Sequence, residues 1–531
     1  MTDTAQESTR SAPTPEGGTP VPRSRAAGAG LTGAGAALAV GELFAGVSRR
    51  VPSLVIAVAD VLIRQADADT AGTAIELLGT NDKPALLVGI VLVTLAIGAA
   101  TGVVARRRPR VLGAVYVGFG LFGAWAAVRS PLHSDALAIV VTAVAASAGF
   151  LITRWLLDLA KREVPSAGLL AEPPGRRRFL ASLSSVAVLA AVGGAVGRRL
   201  RSANTVEAER AEVAEQLSSV LEPVQAVATH GEVADLEGIT PYLVPNEDFY
   251  RIDIAAEIPQ IDPDDWSLRI DGLVDRPLEL TLDDLLAEEL IERTVTISCV
   301  SNPVGGGYAG NARWTGVPLE VLLDRAGVHP DADQVIGRSF TGWTAGFPTS
   351  VVGDGRTALV AVAMNGEPLP TRHGFPARLI VAGLYGYVSA TKWLSNIELS
   401  RWDDFDGYWI QRGWAKDGPV KITSRIDVPR GGIRVPAGTV VLGGVAWAPT
   451  HGIDRVEVCL DGADEWIPAV LGDAVSDEAW VQWSAAFDLA PGTYSAEVRA
   501  VDGDGRLQPP GPKGVFPDGA EGYHRVRFQT V

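Results

Sequence analysis

Cysteine occurs twice in 531 residues, and only one of the two is placed for chemistry. Cys299 closes the β-rich run Thr294–Ile297 and is followed by Asn302 and by glycines at 305–307, so no apolar periodicity continues through it. A cysteine between a strand end and a glycine-rich loop can present its sulfur where backbone amides converge, and a thiolate there suits a soft or high-valent metal. Spacing alone leaves two readings open, a metal thiolate and a small core hydrophobe. Cys459 lies inside DRVEVCLDG (454–462), an alternating strand pattern, and reads as a buried apolar side chain. The pair supplies no disulfide framework, and no Cys/His spacing suits zinc.

The elements that must hold Cys299 are short strands alternating with Pro/Gly turns from Leu243 onward, with helices over Leu282–Leu286 and Pro318–Ala326. That pattern predicts an α+β body over 241–415. No G-x-G-x-x-G opens a helix, so a Rossmann domain is not expected. The character then changes. TVVLGGVAWA (439–448), DRVEVCLDG, WVQWSAAFDL (480–489) and TYSAEVRAVDG (493–503) alternate with turn signals between them, which predicts an all-β immunoglobulin-like sandwich over 420–531. Residues 204–222 read as an amphipathic helix with Val206, Val213, Leu217 and Leu221 on one face, part of a helical stalk or linker over 201–240.

Charge divides the chain. Residues 1–200 carry 20 Lys+Arg against 13 Asp+Glu, a balance of +7, and residues 201–531 carry 26 against 49, a balance of −23. The acidic body repels phosphate backbones and excludes a nucleic-acid-binding role. The first part, after a Pro/Gly-rich disordered tail over 1–25, predicts a multi-pass membrane region of about five helices over 26–200. The apolar runs are Ala26–Val47, Ala85–Ala105, Val111–Val128, Ala136–Thr153 and Phe179–Gly197. Val51–Ile63 is short, contains Asp60 and reads as interfacial or re-entrant. Arg106–Arg108 with Arg110, and Lys161, Arg162 and Arg176–Arg178, fit a cytoplasmic side, which puts everything after about residue 200 outside; Arg49, Arg50 and Arg198–Arg201 break the rule. Glu42 and Asp60 lie near predicted span ends and read as solvated at the interface. All six histidines (133, 230, 329, 373, 451 and 524) lie outside the spans, so no pair can clamp a haem in the bilayer. A transporter or sensor role for spans so poor in polar residues is less simple than anchoring.

Three phrases then occur in order: SCVSN (298–302), ARWTGVPLEVLL (312–323) and MNGEPLPTRHGFPARLIVAGLYGYVSATKWLSNIELS (364–400). Together they resemble the molybdopterin-dependent oxidoreductases of the sulfite oxidase family, over roughly 240–415, and the family's immunoglobulin-like C-terminal domain corresponds to 420–531. The resemblance implies a molybdenum-molybdopterin cofactor with Cys299 as the protein thiolate on the metal. It implies His373 and Arg378, in HGFPARL, as residues that hold the pterin, Lys392, in TKWL, in the segment that closes over it, and Asn302 beside the cysteine. DFYRID (248–253) resembles the strand-end stretch that contributes Tyr250 and Arg251. Cationic donors suit the cofactor's phosphate independently of any resemblance.

The chain departs from that pattern where the family binds its anion. In place of arginines shortly after the metal cysteine stand Pro303 and Val304, and Trp343, in GWTAGFP, stands where the family often has an active-site tyrosine. A small, neutral substrate is therefore expected, an S- or N-oxide or a sulfur compound, rather than sulfite. No Cys-x-x-Cys-His is present, so electrons pass to or from a separate redox partner, a cytochrome or quinone-linked protein. The sandwich corresponds to a domain the family uses for homodimer formation. Arg176-Arg177-Arg178-Phe179-Leu180 resembles a twin-arginine export signal, which moves folded proteins and suits a cofactor loaded in the cytoplasm. The alternative is a non-enzymatic cell-surface binding protein on a degenerate oxidoreductase scaffold.

Overall fold

The computed structural model describes residues 21–67, 81–129, 135–162, 174–221, 236–461 and 465–531, with isolated positions between them. Most of the expected disordered tail, as well as His133 and His230, lies outside the described residues. The chain divides into two compact units, Met1–Gln65 with Thr73–Asn204, and Ala66–Gly72 with Thr205–Val531.

In the first unit the helices are α1 (Arg23–Val47), α2 (Leu54–Gln65), α3 (Asp82–Ala105), α4 (Pro109–Ala127), α5 (Asp135–Arg162) and α6 (Pro174–Ala203). Helix α1 packs against α3, α5 and α6. Small residues permit this approach: a Cβ on Gly30 would overlap the Gly98 carbonyl, and one on Gly46 the Gly197 carbonyl. Helices α1 and α3 to α6 are long and apolar enough to cross a membrane, whereas α2 has 12 residues and is too short. Glu42 differs from its expected solvated state. The close α1–α6 approach brings Arg201 Nη1 to 2.6 Å from Glu42 Oε2, Ser53 donates to the other oxygen, and Glu42 is only 8% exposed. A buried charge needs such partners.

The second unit starts with α7 (Glu207–Leu217), shorter than the expected helix over 204–222. Val206, Val213 and Leu217 are buried as their spacing predicts. The helix is tied to the body, since Arg210 donates to Pro368 O at 2.8 Å and pairs with Glu367 at 2.7 Å.

The cysteine-bearing part contains β1 (Ser267–Gly272), β2 (Leu278–Thr281), α8 (Leu282–Leu286), β3 (Ile291–Ser298), β4 (Ala309–Pro318) and α9 (Leu319–Ala326). There follow β5 (Gln334–Ser339), β6 (Thr344–Pro348), β7 (Ala358–Met364), β8 (Glu367–Pro368), β9 (Arg378–Val381), α10 (Gly386–Ser389) and β10 (Leu394–Ser400). One sheet runs β2-β1-β10-β5-β6, and the other runs β3-β4-β7-β8 with β9 also on β7. Thr281 starts α8 by a capping box with Asp284. Gly316 is required where β4 meets β7, because a Cβ would overlap the Val360 carbonyl.

The C-terminal part is β-rich: β11 (Thr423–Val428), β12 (Arg434–Val435), β13 (Gly438–Trp447), β14 (Ile453–Leu460), β15 (Ile467–Pro468), β16 (Val470–Leu471), β17 (Val481–Leu489), β18 (Gly492–Asp502) and β19 (His524–Thr530). They form sheets β11-β13-β17-β16 and β12-β19-β18-β14-β15, whose facing residues, among them Leu442, Trp483, Val498 and Phe528, share one core. Period-2 alternation in the sequence places four of these strands to within a residue or two at each end.

A polar seam joins the two parts of this unit. Trp480, fully buried, donates its indole N–H to Tyr242 O at 2.9 Å and its amide to Thr296 Oγ1 at 2.8 Å. Thr296 lies on β3, three residues before Cys299, so the seam braces the strand that carries the cysteine. Trp480→Ala removes both the packing and the indole bond and is expected to destabilise this unit by about 3–5 kcal/mol in denaturant titration of the purified protein. Wild-type stability would contradict this bracing role.

Candidate active site

Cys299 stands one residue beyond β3 at the wall of a cleft with about 740 Å³ of space not filled by protein atoms, open to solvent at its mouth. Tyr250, His373, Arg378 and Lys392 line the same cleft, together with Trp343. Five of the seven residues proposed from sequence are thus brought together from segments spread over 143 positions of chain (250 to 392). Arg251 and Asn302 do not line it. Asn302 instead closes its own loop, accepting from the Tyr308 amide at 2.8 Å, and Arg251 pairs with Asp253 at 2.7 Å.

Local backbone explains the convergence. His373 ends a 3-10 turn and Gly374 follows with φ 116°, a conformation that glycine alone adopts freely. A Cβ at Gly374 would sit 3.2 Å from both Arg378 Cβ and Lys392 Cα, so the turn draws three site residues against one another. Trp393 is also left-handed, with φ 52°, which is strained for a bulky residue. Burial and an indole bond to Thr371 O at 2.9 Å hold it there. DFYRID is not a strand end: Tyr250–Asp253 is irregular backbone outside any sheet. Its Tyr250 still reaches the cleft because Phe249 is anchored, edge-on to Trp314 and to His373.

Arg378 decides what the cleft can hold. It is 4% exposed, donates to His373 O at 3.0 Å and Ala390 O at 3.4 Å, and stacks over Trp314. Its buried Nε has no acceptor, and among the described residues it has no carboxylate partner. Burial pushes its pKa down to about 10, so it remains a cation at neutral pH. A buried cation without a counter-ion is costly, and an anionic group entering the cleft relieves that cost. Lys392 differs because Asp253 lies 3.0 Å from its Nζ; burial still pushes the amine down to about 8.

Burial pushes the Cys299 thiol up, against the Ser301 hydroxyl and amide and the charge of Lys392, which pull it down. Its Sγ lies 2.9 Å from Ser301 Oγ. The polypeptide does not by itself favour a free thiolate, and a coordinated metal supplies the missing positive charge. His373 is pushed down to about 3 by burial and is therefore neutral. Its Nε2 must donate to Asn246 O, 2.9 Å away, which leaves Nδ1 as an acceptor. A neutral imidazole with Nδ1 as acceptor pairs with a donor group rather than with an anion. Burial raises the Tyr250 phenol so far that it stays a neutral donor.

Sequence reasoning missed Asp253, Trp393 and Trp409, all of which line the cleft. Asp253 stands two positions after Arg251 within the quoted DFYRID, and that spacing was the available signal. Trp409 carries no local signal, because only tertiary packing places it here. An unpaired Arg378, an orphaned Nε, a neutral acceptor at His373 and a cysteine sulfur in one cleft fit a phosphorylated pterin bearing a thiophilic metal.

Two expectations follow. Arg378→Met should raise the stability of the cofactor-free protein by about 1–4 kcal/mol in denaturant titration while reducing pterin retention; a less stable apo-variant would contradict the unpaired-cation account. Lys392 is depressed from 10.5 to about 8, so between those pH values the unfolded chain binds a proton that the folded chain has lost. Apo-protein stability should therefore gain up to about 1.4 kcal/mol per pH unit across that window, and Lys392→Met should abolish the gain. Equal slopes would contradict it.

The sequence matches the family described as "Oxidoreductase molybdopterin binding domain" over residues 255–409. Sulfite oxidase of Gallus gallus is 30% identical over 315 residues, which cover 50% of this chain and 68% of that protein. Mitochondrial sulfite oxidase of Homo sapiens is 30% identical over 316 residues, 50% of this chain and 57% of that protein. An uncharacterized oxidoreductase of Bacillus subtilis (strain 168) is 36% identical over 153 residues, 29% of this chain and 74% of that protein. The chain thus spans little more than half of the human relative's length. With a cleft that fits the cofactor, this chain belongs to the sulfite oxidase family of molybdopterin-dependent oxidoreductases and is an enzyme that uses molybdenum-molybdopterin.

Proposed function

We propose that the protein is a membrane-anchored, extracytoplasmic molybdenum oxidoreductase acting on a small neutral substrate, an S- or N-oxide or a sulfur compound. When bound, the cofactor supplies two-electron redox chemistry coupled to oxygen-atom transfer. The chain's residues do the rest. Cys299 would offer its sulfur to the metal, Arg378 would meet the cofactor's negative charge beside the Arg251–Asp253–Lys392 cluster, and His373 would present Nδ1 as an acceptor. Trp343, Trp393 and Trp409 exclude water and present an aromatic surface to the substrate.

One observation carries the neutral-substrate reading. Among the described residues the cleft lining holds two cations: Lys392 shares the Asp253 carboxylate with Arg251, and Arg378 would face the cofactor. Among the described residues, no third cation lines the wall to meet a substrate anion. A dianion such as sulfite entering this wall would be desolvated with little return.

The five apolar helices and the basic clusters at Arg106–Arg110 and Arg176–Arg178 support a multi-pass anchor with the catalytic unit outside, exported through the twin-arginine-like segment. The two β-rich sheets around one core support an immunoglobulin-like sandwich, the surface for a homodimer. Electrons exchange with a separate cytochrome or quinone-linked protein. Family membership and the convergence of Cys299, His373, Arg378 and Lys392 set aside the non-enzymatic binding-scaffold reading.

Protein purified from a host competent to make molybdopterin should contain molybdenum. With an artificial electron donor or acceptor it should prefer neutral sulfoxides, N-oxides or sulfur compounds over sulfite by at least roughly tenfold in kcat/KM, about 1.4 kcal/mol. Cys299→Ser should lose turnover. A preference for sulfite would contradict the substrate reading.

A further inference from the structure

The segment after the metal cysteine turns away from the cleft. None of Pro303–Gly307 lines it. The segment instead meets the C-terminal β-rich part at three points. Gly305, with φ 74°, lies so close to the imidazole of His524 that a Cβ would overlap the ring. Gly306 O accepts from Arg425 Nη1 at 2.8 Å. Val304 Cγ2 lies 3.5 Å from where a Cβ on Gly522 would stand.

Both partner side chains are themselves fixed. Arg425, on β11, is 7% exposed; it pairs with Asp427 Oδ1 at 2.7 Å and donates to Thr240 Oγ1 at 2.7 Å. His524 begins β19, and its Nδ1 accepts from the Ile426 amide at 3.0 Å, one residue from Arg425. The segment is tied just as closely to the cysteine. Asn302 N donates to Cys299 O at 3.0 Å, Gly306 N to Pro303 O at 2.8 Å, and Cys299 N to Tyr308 O at 2.9 Å. Asn302 Oδ1 accepts from the Tyr308 amide, closing the loop at its base. A short chain of hydrogen bonds and one steric contact therefore connects a guanidinium and an imidazole of the β-rich part to the backbone on both sides of the Cys299 sulfur.

We propose that Pro303–Gly307 is a lock through which Arg425 and His524 fix the position of Cys299. They are positioning residues, and these two side chains are what the C-terminal β-rich part contributes to the site. The inference rests on the reading of Cys299 as the metal ligand. It also accounts for the uncharged residues at 303 and 304: a segment docked on a neighbouring sheet has no substrate to meet, and Pro303 and Val304 serve the docking. Misplacing a reacting group by even an ångström costs up to about a hundredfold in rate, so a lock of this kind is felt in turnover before it is felt in stability.

The test uses molybdenum-loaded full-length protein, an artificial electron acceptor or donor and the Mo(V) paramagnetic resonance spectrum. Gly305→Ala should push the segment off His524, lower kcat roughly tenfold with KM nearly unchanged, and alter the spectrum at wild-type molybdenum content. Gly305→Ala/His524→Ala should recover part of the loss, because space returns and Arg425 still holds Gly306, while an alanine at φ 74° stays strained. Arg425→Lys keeps the charge beside Asp427 but cannot span to both Asp427 and Gly306, and should reproduce the spectral change; it decides alone if Gly305→Ala does not fold. Val458→Ala, in the core of the β-rich part, should lower thermal stability and leave spectrum and kcat unchanged. Wild-type spectra and kcat in both Gly305→Ala and Arg425→Lys would overturn the lock, as would the same changes in Val458→Ala. Molybdenum-free wild type would overturn the cofactor reading and the lock together, whereas loaded wild type with unaffected variants would overturn the lock alone.

Discussion

A guanidinium buried without a counter-ion is the constraint on which this site depends. Arg378 sits at 4% exposure with an orphaned Nε and only carbonyls and an indole face for company. A protein keeps such a group only if something anionic joins it, since an apolar side chain of similar volume would stabilise the fold more. The surrounding features follow from that demand. Gly374 with its positive φ sets Arg378 against Lys392, strained Trp393 holds the next turn, and Asp253, shared with Arg251, gives Lys392 a carboxylate partner that Arg378 lacks. The cost is met when the cofactor's negative charge arrives, which makes the apo-protein a deliberately incomplete structure.

The sulfur end of the cleft obeys the opposite rule. Cys299 is held in surroundings that favour the neutral thiol, with only Ser301 and Lys392 favouring the thiolate. A metal's positive charge beside the sulfur would work in the same direction as Ser301 and Lys392, toward the thiolate. The lining of the same cleft includes three indoles, Trp343, Trp393 and Trp409. This division matches an enzyme whose electrostatics serve its cofactor and whose aromatic surface serves its substrate.

Much of this was legible in the sequence, for reasons that vary by residue. Cys299, His373, Arg378 and Lys392 stand in ordered phrases, and their chemistry constrains them to one place, so motif reading found them. Strands such as β13, β14, β17 and β18 declared themselves by alternation, because one face of each is buried against the opposing sheet. Asp253 and Trp409 escaped notice because they act only through partners distant in sequence. The direction of the Pro303–Gly307 segment was also invisible: its composition reports the loss of arginines but not the sheet on which it docks. The protonation pattern of His373 was not legible either, since only the bond to Asn246 O fixes which nitrogen keeps its proton. The pairing of Glu42 with Arg201 depends on a helix crossing that hydropathy does not encode.

The claim that joins these features is that Cys299 and Arg378, which line one cleft, hold one molybdenum-pterin group. Sulfur coordination is its most direct test, through X-ray absorption at the molybdenum edge of the purified, loaded protein. The account predicts one more sulfur ligand than the pterin dithiolene supplies, and the loss of that ligand in the Cys299→Ser protein. A first shell holding only the dithiolene sulfurs in the wild type, or one unchanged by the substitution, would contradict it.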